Sequence, residues 1–157
     1  MKKIFVILIA VCALSISASA QKRASVPYAG LSLVTNLIDD YGPGASFGIR
    51  NYNRNAFVSF GVGGEAFAYY IPVDKQFGVF GVPEIGVAIG PKGFKLYPHT
   101  GLMFGYDSET AKFAWGGKDG LSFDFGKNFT LDFSTYLPNY NFLAATYAIG
   151  LIWKFAK

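Results

Sequence analysis

The chain has 157 residues, of which 52% are hydrophobic, 18% aromatic and only 15% charged, with a net charge of +4. That length suits one domain. The charged fraction is well under the roughly 25% of soluble domains, and the small positive balance excludes the basic footprint of a nucleic-acid binder.

The chain opens with Lys2 and Lys3, continues with an apolar stretch from Ile4 to Leu14, and ends this start with the small residues Ala18-Ser19-Ala20. A charged start, an apolar middle and a small-x-small end predict a secretory signal peptide over residues 1–20, cleaved before Gln21. The apolar stretch is shorter than the roughly 20 residues a spanning helix needs. Lipidation at Cys12 is disfavoured by the bulky Val11 before it. Residues 21–157 are then a single domain, with a net charge of +2 once Lys2 and Lys3 leave, and with no cysteine. An exported fold without disulfides holds by packing and hydrogen bonds alone. No apolar run long enough for a transmembrane helix follows the signal.

Apolar residues then alternate with small or polar ones, the period of a strand. The pattern predicts strands at about 28–37, 45–51, 56–70, 77–90, 94–106, 112–126, 129–137 and 142–155. The breaks between them are rich in Gly, Pro, Asn and Asp, which favour turns: 39–44, 51–55, 72–75, 91–93, 107–109, 126–128 and 138–141. The run Gly116-Gly117-Lys118-Asp119-Gly120 reads as a bulge inside one long strand. A hairpin there would leave pieces too short to cross a bilayer as strands of 9–11 residues. Eight strands joined by short hairpins form an antiparallel meander that closes by pairing the first with the last.

One face of these strands is bulky and almost uncharged. It holds Val58, Phe60, Phe77, Val79, Ile85, Phe94, Leu102, Phe113, Trp115, Phe123, Phe129, Phe133, Ala145, Ile149, Leu151 and Trp153. The other is small and sparsely charged, with Ser59, Gly61, Gly63, Gly86, Tyr97, Ser122, Thr130 and Ser134 around Arg50, Glu65, Glu84, Lys95, Lys118, Asp124 and Asp132. With the bulky face inward, a soluble lipocalin-like barrel would show water a surface of Gly, Ala and Ser, which invites association. With the bulky face on lipid, the narrow interior of an eight-stranded barrel is filled by small residues and paired charges. The second arrangement explains glycine content, low charge and aromatic excess together. Tyr69, Tyr70, Tyr106, Trp115, Tyr136, Tyr140 and Trp153 lie near strand ends, where interfacial girdles form.

The fold class expected is therefore all-β: a closed eight-stranded antiparallel up-and-down transmembrane β-barrel. The signal peptide, the eight alternating strands and the end "TYAIGLIWKF" resemble the small outer-membrane β-barrels of the OmpA/OmpX type over residues 28–155. The resemblance implies a cell outer membrane location, contact with outer-membrane lipids including lipopolysaccharide, assembly by the barrel-assembly machinery, and a monomer. Two departures stand out. Ala156-Lys157 follow Phe155, and the outward loops are too short for the adhesin and receptor roles that long loops serve.

The seven inward charges Arg50, Glu65, Glu84, Lys95, Lys118, Asp124 and Asp132 predict a structural network that plugs the lumen, with a structural or surface-recognition role in the envelope. A narrow pore and a soluble carrier of a hydrophobic ligand are the alternatives. The single histidine, His99, could serve a lipid A-modifying enzyme only if Ser59, Ser122 or Ser134 approaches it; the expectation is no enzyme. One histidine and no mature cysteine exclude the usual zinc sets, and neither metal nor cofactor is expected. The glycine clusters lack the context of a phosphate loop. Asp39, Asp40, Asp74, Asp107 and Glu109 mark one end of the barrel, and Arg54, Lys92 and Lys127, with Lys22, Arg23 and Lys157, the other.

Overall fold

The computed structural model describes residues 25–36, 40–73, 75–108 and 112–155. The predicted signal peptide, its cleavage point and Cys12 lie outside the described residues, as do Lys22, Arg23, Asp39, Asp74, Glu109 and Lys157.

Eight strands run β1 Ser25–Asn36, β2 Tyr41–Asn51, β3 Val58–Ile71, β4 Gln76–Ile89, β5 Phe94–Asp107, β6 Lys112–Phe125, β7 Phe129–Pro138 and β8 Thr146–Lys154. They form one closed barrel in sequence order, each strand antiparallel to its neighbours, with β1 closing on β8 from Tyr28↔Lys154 to Asn36↔Thr146. Closure leaves no strand edge, so backbone N–H and C=O groups pair within the sheet. This is the architecture that the resemblance to OmpA/OmpX-type barrels implies.

Three local expectations need correction. Gly42-Pro43-Gly44 belong to β2 rather than to a turn, paired with Val34, Leu33 and Ser32. Pro43 faces outward, and the inward glycines are required by crowding: a Cβ on Gly42 would stand 1.8 Å from the Tyr70 carbonyl oxygen. The residues before β8 form a 3₁₀ turn at Phe142–Ala144, and Ala145 is buried instead of outward. Residues 116–120 sit in one continuous strand, as expected, but without a bulge. β6 keeps one register against β5 from Phe94↔Phe125 to Asp107↔Lys112, and one against β7 from Gly116↔Pro138 to Phe125↔Phe129. An extra residue would shift that register. The glycines instead allow close approach: a Cβ on Gly116 would lie 1.9 Å from the Leu137 carbonyl oxygen, and one on Gly120 2.4 Å from the His99 ring.

Burial is inverted relative to a soluble barrel. Leu31 is 75% exposed and Phe113 70%, while Arg50 is 1% and Lys118 0% exposed. The bulky set of each strand points outward, which removes the arrangement a lipocalin-like carrier needs. Tyr70, Tyr106, Trp115, Tyr140 and Trp153 are on the outer wall. Tyr69 and Tyr136 are not: they share parity with Glu65 and Asp132, and point into the lumen.

The lumen has two halves, which a uniformly small and polar interior did not anticipate. Towards the β1–β2, β3–β4, β5–β6 and β7–β8 connections, Val34, Phe67, Tyr69, Ile71, Phe80, Val82, Met103 and Tyr136 form an apolar cluster. Phe67 stacks on Tyr136 with centroids 4.2 Å apart. The other buried charges lie in the middle and towards the opposite end, while Asp107 is buried beside Tyr69 at the apolar end. The tight interior explains the glycines between large inward residues. A Cβ on Gly48 would meet the Gly64 carbonyl oxygen at 2.4 Å and the Tyr28 ring at 2.6 Å. Gly48→Ala is expected to lower the unfolding free energy by about 1–3 kcal/mol, as overpacking does. Urea titration in phospholipid vesicles checks this against Gly93→Ala, whose Cβ would meet nothing within 4 Å and which should leave the midpoint unchanged.

Candidate functional site

Inward parity on seven successive strands brings one polar cluster to the middle of the lumen. Tyr28 comes from β1, Arg50 from β2, Glu65 from β3, Glu84 from β4, His99 from β5, Lys118 and Ser122 from β6, and Asp132 and Tyr136 from β7. Arg50 spans the barrel. Its Nε donates to Glu84 Oε1 at 2.8 Å, Nη1 to Ser122 Oγ at 2.8 Å and Nη2 to Asp132 Oδ1 at 3.2 Å. Its guanidinium also lies 5.2 Å from the Tyr28 ring centre and 5.1 Å from that of Tyr97, within cation–π range. Lys118 Nζ donates to Glu65 Oε1 at 2.9 Å and Glu84 Oε2 at 3.3 Å. Glu65 further accepts from the Tyr28 hydroxyl and the Tyr136 hydroxyl, each at 2.8 Å. Every buried charge in this group therefore meets an opposite charge, which burial demands.

A second cluster lies closer to the end where the barrel strands begin and finish. Asp124 pairs with Lys154, accepts from the Tyr52 hydroxyl, and accepts from Thr130 Oγ1 at 2.5 Å. Lys154 Nζ also donates to the Tyr52 hydroxyl at 3.0 Å. Tyr97 joins the two clusters, stacked on Tyr52 and on His99 at 5.3 Å each.

Of the seven charges expected to form one network, the structure brings Arg50, Glu65, Glu84, Lys118 and Asp132 together and places Asp124 in the second cluster. Lys95 is the correction. It is inward and buried, but its Nζ donates to the carbonyl oxygens of Ala56 and Gly90 rather than to an acid. It lies near the start of β5, and its long stem reaches back to the turn carbonyls. Sequence reasoning missed Lys154, although its parity with Gly150 and Ile152 marks it as inward. It also missed Tyr28, Tyr52 and Tyr136, whose types do not distinguish lumen from girdle. Asp107, read as a rim charge, is buried and accepts from the Tyr69 hydroxyl at 3.1 Å.

His99 meets Ser122, one of the three serines that could approach it: Nε2 is 3.1 Å from Ser122 Oγ, and Nδ1 is 3.4 Å from Glu84 Oε2. These are the residue types of a nucleophile, a base and an acid, but Nδ1 makes no hydrogen bond among the described residues. Ser122 is 0% exposed, receives an N–H from Arg50 and donates its own proton to Asp132. Among the described residues no group of three or more His, Cys, Asp or Glu is arranged to hold a metal ion. The gap left between Ser32, Ser46, Glu65, Phe67, Asp132 and Tyr136 is about 10 Å³, roughly the room for one water. Larger concavities lie outside: about 470 Å³ over β3–β6, about 550 Å³ over β4–β7 and about 540 Å³ between Ala29, Ala45, Phe129 and Trp153.

No protein-family model matches the chain, and no curated protein does. Among solved structures, it is similar to the crystal structure of Ail, the attachment invasion locus protein of Yersinia pestis, in complex with the heparin analogue sucrose octasulfate. That match has 17% identity and a TM-score of 0.48, over 86% of this chain and 100% of that one. It is also similar to the backbone structure of the Yersinia pestis outer membrane protein Ail in a phospholipid bilayer nanodisc, at 16% identity and a TM-score of 0.44, over 84% of this chain and 100% of that one. The fold is given by the closed register of the eight strands, and neither likeness adds to it.

Proposed function

We propose that the chain is an outer-membrane β-barrel whose lumen is closed by its own side chains, with a structural or surface-contact role in the cell envelope. The observation that carries this is the inverted burial: ion pairs inside a closed sheet, and leucine, phenylalanine and tryptophan on the outer wall. Lipid is the solvent that this wall suits, because a closed barrel satisfies its backbone internally. The wall then contacts outer-membrane lipids, including lipopolysaccharide, after insertion by the barrel-assembly machinery. Residues 1–20 serve as the cleaved export signal. Two layers oppose conduction, the apolar cluster around Phe67 and the ion pairs around Arg50. The short connections 37–40, 72–75 and 108–111 leave surface contact to the rim and the wall.

Membrane fractionation with N-terminal sequencing is expected to place the protein in the outer membrane beginning at Gln21. Folded protein should migrate differently from boiled protein on a gel, and should show no steady conductance steps in planar bilayers. Recovery as a soluble periplasmic monomer would overturn the membrane reading, and steady conductance would overturn the plug. The absence of catalysis is tested by His99→Ala, which should leave the acyl pattern of cellular lipid A unchanged; a specific change would make the Ser122–His99 pair an active site.

A further inference from the structure

Among the described residues, a polar row interrupts the outer wall at mid-height. Asp119 lies at the middle of β6 and points outward, exposed, with Leu121, Phe123 and Phe125 towards one end and Trp115 and Phe113 towards the other. The register places it directly beside Thr100 of β5 and Thr135 of β7. The same row continues through Tyr147 of β8 to Thr35 of β1. Strands of such barrels tilt by roughly 35–45°, so the row climbs diagonally from mid-wall towards the rim.

Among the described residues no hydrogen bond or ion pair reaches the Asp119 carboxylate. The Thr100 hydroxyl donates to the Lys118 carbonyl at 3.2 Å, so its proton is in use, whereas Thr135 has no such acceptor among the described residues. An ionisable side chain facing lipid is costly and calls for a partner. Concavities border it, as one of about 540 Å³ borders Ala45 on the other side of the barrel; what sets this wall apart is the carboxylate. The concavities over β3–β6 and β4–β7 both include Ile85, Thr100 and Asp119. Tyr140, held at φ 53°, in a region unfavourable for a bulky residue, edges the larger one. Its ring sits over Gly117, where a Cβ would be 3.1 Å from Tyr140 Cε1.

We propose that the β5–β7 wall is the contact face for a second copy of this chain within the membrane, with Asp119 of each copy accepting a hydrogen bond from Thr135 of the other. This rests on the membrane reading above and replaces the monomer expected from sequence. Copies inserted in the same sense pair about a two-fold axis along the membrane normal, so the contact patch must complement itself. A row carrying both an unpaired acceptor and an available donor does so. Lys95 and Lys118 of this wall face the lumen, which leaves the Thr135 hydroxyl as the mid-height donor that a second copy can bring.

The test uses the mature chain reconstituted in phosphatidylcholine vesicles, with a single introduced cysteine. Oxidation of Phe133→Cys, which is outward on β7 and leaves Thr135 in place, should give a disulfide-linked dimer, and Ala45→Cys, on the β2 wall, should not. Adding Asp119→Leu or Thr135→Val to Phe133→Cys should cut the dimer by about tenfold, the scale of a polar contact of about 1–2 kcal/mol in lipid. The folded-versus-boiled gel shift must persist, showing that the variant is folded. Equal cross-linking from both walls, or a yield indifferent to Asp119→Leu or to Thr135→Val, would overturn the dimer and leave a wall solvated by lipid alone. Failure of the wild-type protein to float with the vesicles would instead overturn the membrane reading itself.

Discussion

Arg50→Ala is expected to lower the unfolding free energy by about 3–5 kcal/mol, the scale of breaking a buried charge pair. Arg50 is the cation that reaches Glu84, Ser122 and Asp132 at once. Without it, Lys118 and His99 remain beside the three acids Glu65, Glu84 and Asp132, and Asp132 loses its guanidinium. Glu84→Ala should cost less, about 1–3 kcal/mol as a discount on that same figure. Arg50 would keep Asp132 at 3.2 Å and Lys118 would keep Glu65 at 2.9 Å. Arg50→Lys should not restore the loss, because a point charge cannot serve three partners through a planar fork. Lys95→Ala should cost less than Arg50→Ala, since Lys95 meets carbonyl oxygens and no acid. Guanidinium titration of refolded variants in phospholipid vesicles measures all four. Wild-type stability of Arg50→Ala would mean that the lumen charges are solvated by bulk water.

The second large effect is expected at Phe67→Ala, about 3–5 kcal/mol from lost burial and the cavity left behind. Phe67 is buried, stacked on Tyr136 with planes 4° apart, and within 6.0 Å of the Tyr69 ring centre. No neighbour can collapse into the space, because each is fixed to a paired strand. The outward Phe113 is the control: Phe113→Ala removes a ring of similar size from the wall and should cost clearly less. The same titration decides. Conductance should stay absent in Phe67→Ala, because the ion pairs of Arg50 still close the lumen on the far side. If Phe67→Ala is no more harmful than Phe113→Ala, the apolar half of the lumen is loosely packed.

Much of this architecture was legible locally. Strand alternation is a property of a few neighbouring residues, so the eight strands and the inward parity of Arg50, Glu65, Glu84, Lys118, Asp124 and Asp132 could be read without a fold. Two glycine segments misled, at 42–44 and 116–120, because glycine serves turns, bulges and close approach alike. The Cβ contacts at Gly42, Gly116 and Gly120 come from the neighbouring strand, as backbone at the first two and as the ring of the paired His99 at the third, and none of these partners is near in sequence. Parity also failed to flag Phe67, Phe80 and Met103 as an inward apolar cluster, since size and polarity point outward for such residues on the remaining strands.

The sequence by itself determined an all-β meander, its eight segments and its two unlike faces, because each follows from period-two patterning and turn chemistry along the chain. Tertiary structure alone decided which charges meet. Arg50 and Asp132 are 82 residues apart and Lys154 and Tyr52 are 102 apart, and their contact depends on how the closed sheet is staggered. A shift of one pair of residues between neighbouring strands would preserve every inward and outward face while giving each acid a different base. That stagger also set Lys95 among carbonyl oxygens and aligned Asp119 with Thr135. It is a property of the closed ring of strands as a whole.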